Sequence, residues 1–149
     1  MIIEYKRVRD GAKVPVRSNP SDAGLDVFAC MSEEVSLAPM QSLIIPTGLK
    51  FGIPHGYMLQ VMNRSSVAAK RGLVVGAHVI DSGYDGEVFI NIHNISNQHQ
   101  KIEDGMKIAQ LVMIPVVSFR PHEIREDELY LRPITISDRG DGALGSTGG

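Results

Sequence analysis

Apolar residues recur along the chain in short runs, and turn-forming residues separate them densely. Runs at 35–37, 42–45, 49–53, 57–62, 73–80, 87–95 and 108–117 read as strands. Several are rich in β-branched residues or alternate apolar with polar, as Val88, Ile90 and Ile92 do against Phe89, Asn91 and His93. Prolines at 15, 20, 39, 46, 54, 115, 121 and 133 fall mostly at the edges of these runs, which leaves little room for long helices. Many short strands with frequent turns predict a sandwich or barrel rather than alternating strand–helix units. One stretch breaks the pattern: residues 65–72 read as a short helix, serine-capped at its start and stopped by Gly72. The acidic segment 122–129 reads better as a solvated connector than as a second helix. From Ser137 onward the pattern changes again, because five of the last thirteen residues are glycine. Such a stretch builds no core of its own and is expected to be mobile in isolation.

Length and composition narrow the class. With 149 residues, 43% of them hydrophobic, the chain suits one domain with a real core. Fifteen Lys and Arg against seventeen Asp and Glu give a net charge of -2, which speaks against a broad electrostatic grip on nucleic acid or on an anionic membrane. Cys30 is the single cysteine, so an intrachain disulfide is excluded and a reducing compartment fits. No run approaches the ~20 apolar residues of a bilayer span, and the first residues lack a signal-peptide core. The expectation is a soluble cytoplasmic protein, or one of the host cytoplasm or nucleus if its source is viral.

Five segments can carry chemistry. Asn63-Arg64-Ser65-Ser66 before the short helix combines a guanidinium, two hydroxyls and free backbone N–H groups, an arrangement suited to an anion or to an ordinary surface helix. Residues 79–88 place two strand-like runs around Asp85-Gly86, a hairpin signal that puts Asp81 and Tyr84 near its mouth. An aspartate there can act as a base toward water, and a tyrosine ring can lie against a sugar or base. Arg139-Gly140 with Gly145-Ser146-Thr147-Gly148 resembles a phosphate-binding loop without the lysine and helix of the P-loop. Asp22-Ala23-Gly24-Leu25-Asp26 and the strand carrying Gln110 complete the set. Asp26 can hold magnesium through water beside phosphates. The five histidines and Cys30 show no metal-ligand spacing, so a zinc site is not expected.

Taken in order, these segments resemble the motifs of the trimeric deoxyuridine triphosphate nucleotidohydrolases, the dUTPases. The matching residues are Ala23-Gly24-Leu25-Asp26, Arg64-Ser65-Ser66, Val79-Ile80-Asp81 with Tyr84 and Gly86, Gly105 with Ile108-Ala109-Gln110-Leu111, and Arg139-Gly140 with Gly145-Ser146-Thr147-Gly148. The resemblance implies an all-β, distorted jelly-roll barrel with one short helix, assembled as a homotrimer whose sites are shared between subunits. It implies a domain over 1–136 and a glycine-rich lid over 137–149. The expected reaction is hydrolysis of dUTP to dUMP and pyrophosphate, with Mg2+ bridging the phosphates and reached by Asp26 through water. Asp81 would activate the water that attacks the α-phosphorus and orient the 3′-hydroxyl. Arg64, Ser65 and Ser66 would grip the triphosphate, and Gln110 would position phosphate or water. The segment from Gly76 through His78, Val79 and Ile80, with the return strand at Phe89, would read uracil, while Tyr84 lies against the deoxyribose. Arg139, Leu144, Gly145, Ser146 and Thr147 would close over the substrate.

Three positions depart from the family pattern. Leu144 stands where a phenylalanine usually stacks on the base, and loses that flat π face. His78 replaces a glycine, and Asn63 a frequent proline. Ala77-His78-Val79-Ile80-Asp81 also resembles dCTP deaminases, which makes deamination, alone or beside dUTP hydrolysis, the enzymatic alternative. Those enzymes use a glutamate ten residues after the aspartate and an arginine five after the motif arginine, where this chain has Asn91 and Ala69. An amide cannot perform the glutamate's proton transfer. A nucleotide-gated regulatory binding protein on the same fold is the alternative from another class.

Overall fold

The structure, a computed structural model, describes residues 1–125 and Leu129. Among them the chain forms a distorted jelly roll of eleven short strands and one short helix. In chain order these are β1 (Glu4–Arg7), β2 (Leu25–Phe28), β3 (Val35–Leu37), β4 (Ser42–Pro46), β5 (Leu49–Gly52), β6 (Tyr57–Met62), α1 (Ser65–Arg71), β7 (Leu73–Val75), β8 (Val79–Ile80), β9 (Phe89–Asn94), β10 (Gln100–Ile102) and β11 (Lys107–Pro115). Pairing is antiparallel throughout. The sheets run β2-β11-β6-β8, β4-β9-β7, β1-β5 and β10-β3. All strands lie in the compact unit Met1–Ser118, whereas Phe119–Gly149 forms a second unit in which 119–125 take no helix or strand. The glycine-rich segment 137–149 lies outside the described residues. No helix among the described residues is long and apolar enough to cross a membrane.

The alternation that marks strands also builds the core. Along β9, Ile90, Ile92 and Asn94 are buried while Phe89, Asn91 and His93 face outward. Val27, Ile45, Leu49, Ile102 and Ala109 join them at essentially no exposure. Buried Asn94 keeps its amide satisfied by donating to the Leu37 and Gln98 carbonyls at 2.9 and 2.8 Å.

Three expected features are corrected. The run at 73–80 is two strands in different sheets, β7 pairing with β9 and β8 with β6, and the chain changes sheet at Gly76. The tight turn is Asp81-Ser82-Gly83-Tyr84, closed by Tyr84 N–H donating to the Asp81 carbonyl at 3.2 Å, rather than a hairpin turn at Asp85-Gly86. Gly83 takes the left-handed φ of +83° that such a turn requires, and β8 and β9 do not pair. The helix is not serine-capped: Arg64 occupies the N-cap with no side-chain cap bond. Its glycine stop does form, with Gly72 at φ 63° donating to Ala68 and Val67 carbonyls.

Met40 stores strain at a turn. Gln41 N–H donates to the Ala38 carbonyl at 3.1 Å, and Met40 sits at φ 65° with its side chain 84% exposed. Relief of left-handed strain exceeds the extra unfolded-state entropy of glycine, and no buried side chain is lost. Met40→Gly should therefore raise stability by about 0.5 kcal/mol in urea titration. A loss of stability would show that the turn carries no strain.

Candidate functional site

The centre of the site is Asp26, a carboxylate only 8% exposed on β2. Strand β11 lies beside it, with Gln110 directly opposite Asp26, and the register slips between Lys107 and Ala109. That bulge buries both Ile108 and Ala109 and so leaves Lys107 and Gln110, three residues apart, both outside the core. Lys107 Nζ lies 3.2 Å from Asp26 Oδ2, to which Ser18 Oγ donates at 3.1 Å. Arg64 Nε donates to Asp26 Oδ1 at 2.8 Å. Burial pushes the Asp26 carboxyl up, but the hydrogen bonds from Lys107 and Arg64, the Arg64 charge and Ser18 outweigh it. Its pKa is lowered overall, so at neutral pH Asp26 is an anion that fixes two cations.

Arg64 reaches Asp26 because it precedes α1 in extended conformation, at φ -86° and ψ 129°. Its terminal nitrogens carry no hydrogen bond among the described residues. Ser65 and Ser66 are exposed on the first turn, where backbone N–H groups have no intrahelical acceptor. Asn63 braces this corner: its Oδ1 accepts from Val75 N–H at 2.8 Å, and its carbonyl accepts from Gln110 Nε2 at 2.9 Å. Gly24 is required here, since a Cβ would strike Gln110 Oε1. A cavity of about 330 Å³ results, lined among others by Asn19, Asp22, Asp26, Arg64, Ser65 and Gln110. The Arg64 guanidinium, helix-start amides and hydroxyls around one space can neutralise and orient a polyanion.

The segment 76–89 does not line that cavity. Asp81 is exposed, and its carboxylate carries no hydrogen bond among the described residues. Tyr84 is half-exposed, its hydroxyl donates to the Glu87 carbonyl at 2.9 Å, and its ring covers Gly86, where any Cβ would collide. Val79 is exposed, and Ile80 pairs with Leu59. His78 is turned toward β6, with Nδ1 3.2 Å from the Val61 carbonyl and its own carbonyl accepting from Val61 N–H at 2.7 Å. Gly76 donates to the Asn91 carbonyl at 2.9 Å. Phe89 is 43% exposed beneath the Arg9 guanidinium. Arg139, Leu144, Gly145, Ser146 and Thr147 lie outside the described residues.

Sequence reasoning missed Lys107, Ser18, Asn19 and Glu87. No local motif marks Ser18, which reaches Asp26 because Val16 bridges it in both directions. Lys107 depends on the bulge, and Glu87 holds the Tyr84 loop because its Oε1 accepts from Arg9 Nε and Gly48 N–H at 2.6 and 2.8 Å. No group of three acidic, histidine or cysteine side chains suited to a metal occurs among the described residues. With both Asp26 oxygens engaged, this donor set fits a magnesium ion that keeps its waters and is carried by phosphates.

Comparison with known proteins places these features in context. A family model of dUTPase matches residues 10–148. The chain is 35% identical over 150 residues to the deoxyuridine 5'-triphosphate nucleotidohydrolase of Clostridium novyi, covering 99% of each. It is 36% identical to that of Wolbachia pipientis, covering 98% of this chain and 95% of the relative. Among solved structures, a mutant dUTPase of Staphylococcus bacteriophage 80alpha with dUpNHpp superposes with a TM-score of 0.83 at 29% identity, covering 99% and 98% of the two chains. A mutant dUTPase from phage phi11 of S. aureus, in which a structural Mg(II) ion is coordinated, gives 0.78 at 28% identity over 86% and 99%.

Proposed function

The chain belongs to the dUTPase family and hydrolyses dUTP to dUMP and pyrophosphate, and from that premise we propose how its residues divide the reaction. The observation that carries the proposal is the division of the site: one cavity gathers Asp26, Arg64, Ser65, Ser66 and Gln110, while Asp81 and Tyr84 stand on a loop that does not line it. The chemistry needs both, so the cavity of one copy is completed by the loop of another, and the working unit is a homotrimer.

In this scheme the Arg64 guanidinium, its Nε held by Asp26, presents its terminal nitrogens to the phosphates beside the first amides of α1. Lys107 adds positive potential, and Gln110, anchored on Asn63, orients phosphate or water. The exposed Asp81 carboxylate accepts a proton as water oxygen bonds to the α-phosphorus, and the bond from that phosphorus to the bridging oxygen breaks to release pyrophosphate. Tyr84, fixed through Glu87, backs the deoxyribose, and the 76–80 arm with Phe89 holds uracil. The segment 137–149, with Arg139, Leu144, Gly145, Ser146 and Thr147, closes over the bound nucleotide as a lid that excludes water. Mg2+ would supply charge neutralisation to the triphosphate, and Asp26 would be the carboxylate that holds it through water.

Subunit complementation tests the shared site. Arg64→Ala and Asp81→Asn proteins, each inactive alone, are unfolded together and refolded as mixed trimers. About a quarter of the sites then combine an intact cavity with an intact loop, and dUMP release should recover to a corresponding fraction of wild type. No recovery in verified mixed trimers would place both residues in one chain's site.

A further inference from the structure

The ladder between β7 and β9 ends at the Gly76–Asn91 rung, and past it the chain leaves β9 and joins β6. A fork opens there, walled by residues 77–80 and the start of β9. At its closed end lies a polar pair on the outward face of β9, with His93 Nε2 2.7 Å from Asn91 Oδ1. Both side chains are half-buried and press against Gly76, where any Cβ would strike Asn91 Oδ1 and His93 Nε2. Gly76 therefore keeps this pair at the end of the fork. His93 Nε2–H donates to Oδ1, and Asn91 Nδ2 makes no hydrogen bond among the described residues.

We propose that Asn91 is a base-reading residue whose Nδ2–H donates to the 4-carbonyl of uracil, and that His93 is the positioning residue that keeps the amide facing that way. This rests on the reading that the 76–80 arm and Phe89 hold the base. Uracil offers an acceptor at C4, whereas cytosine offers an amino donor, so cytosine meets donor against donor. Turning the amide over to suit cytosine would require His93 to change tautomer as well, so that Nε2 accepts from the amide NH2. A site built to hydrogen-bond one group rejects the analogue lacking it far more strongly than a site that merely measures shape. Thymine keeps the 4-carbonyl, so this pair discriminates against dCTP and contributes nothing against dTTP.

The test is kcat/KM for dUTP, dCTP and dTTP, with products identified, on trimers verified as folded. Asn91→Ala and the isosteric Asn91→Asp should lower the dUTP/dCTP ratio by about tenfold or more, mainly through a higher KM for dUTP, and leave the dUTP/dTTP ratio nearly unchanged. His93→Leu should lower the dUTP/dCTP ratio as well, and His93→Gln, which restores a donor, should rescue it. A dUTP/dCTP ratio within about twofold of wild type in both Asn91 variants overturns the proposal, as does an equal fall in both ratios. Where Asn91→Ala does not fold, Asn91→Asp decides alone. The underlying placement of the base has its own readout: Gly76→Ala, which must push the pair aside, should raise KM for dUTP, and an unchanged KM defeats that placement.

Discussion

Asp81→Asn should lower kcat for dUTP by about a thousandfold, the usual range for loss of a general base, while dUpNHpp still binds within a few-fold of wild type. The expectation follows from how little the carboxylate does for the fold. It is exposed, it accepts no hydrogen bond among the described residues, and the turn it begins is closed by its backbone carbonyl, which asparagine keeps. An amide of the same shape preserves sterics and loses the ability to take a proton from water. The melting temperature should stay within a degree or so, because a surface substitution away from packed partners changes stability little. Single-turnover kinetics and calorimetric titration separate the terms. Parallel losses of binding and rate would make Asp81 a structural or substrate-holding residue and move the base elsewhere.

The parts of this fold legible from sequence are those in which side-chain alternation meets burial. Strands β3 and β6 lie where the pattern put them, and β9 alternates as Ile90 and Ile92 required. β1 was illegible because Glu4-Tyr5-Lys6-Arg7 is exposed on every residue and owes its strand to pairing with β5. β10, Gln100-Lys101-Ile102, holds a single apolar residue, so no alternation marks it, and its strand follows from pairing with β3. β2 was hidden because Leu25-Asp26-Val27-Phe28 follows a turn-like Asp-Ala-Gly and carries a buried charge. The Asp85-Gly86 signal failed for a different reason. A dipeptide favours a hairpin only if the flanking strands pair, and Val79 and Ile80 pair with Gln60 and Leu59 instead.

The site shows the same division. Arg64, Ser65, Ser66, Asp26 and Gln110 stood out as residue types in order, and one cavity collects all five. What the sequence could not convey is that Asp26 holds Arg64 together with Lys107 and Ser18. That role depends on a bulge near Ile108 and on a bridge from Val16 that brings Ser18 across, both properties of strand pairing between distant segments. Asn63, a departure from the family's frequent proline, also has its reason only in three dimensions, since its Oδ1 accepts from Val75 N–H at the end of β7.

Asp26→Asn should damage stability and catalysis together, and pH should tell why. The change removes a charge that Arg64 and Lys107 share and replaces one acceptor oxygen by NH2, so that a donor faces the donor of either Arg64 or Ser18 and Lys107. Leaving two cations uncompensated at a mostly buried position should cost roughly 2 kcal/mol, or a fall of about 5 °C in Tm at fixed protein concentration. Arg64 keeps its charge but loses its orienting partner, and kcat/KM should fall by about a hundredfold. Because the folded-state pKa of Asp26 lies below its unfolded value of about 4, the wild-type advantage is fully present above that pH. It should disappear as the pH falls through the folded pKa, where the wild-type carboxyl also becomes neutral. Urea midpoints of the two proteins should therefore differ at pH 7 and 5 and converge below about pH 4. A gap that stays constant down to pH 3 would assign the loss to packing and hydrogen-bond mismatch rather than charge. No gap at pH 7 would mean that Arg64 and Lys107 are held by something other than Asp26.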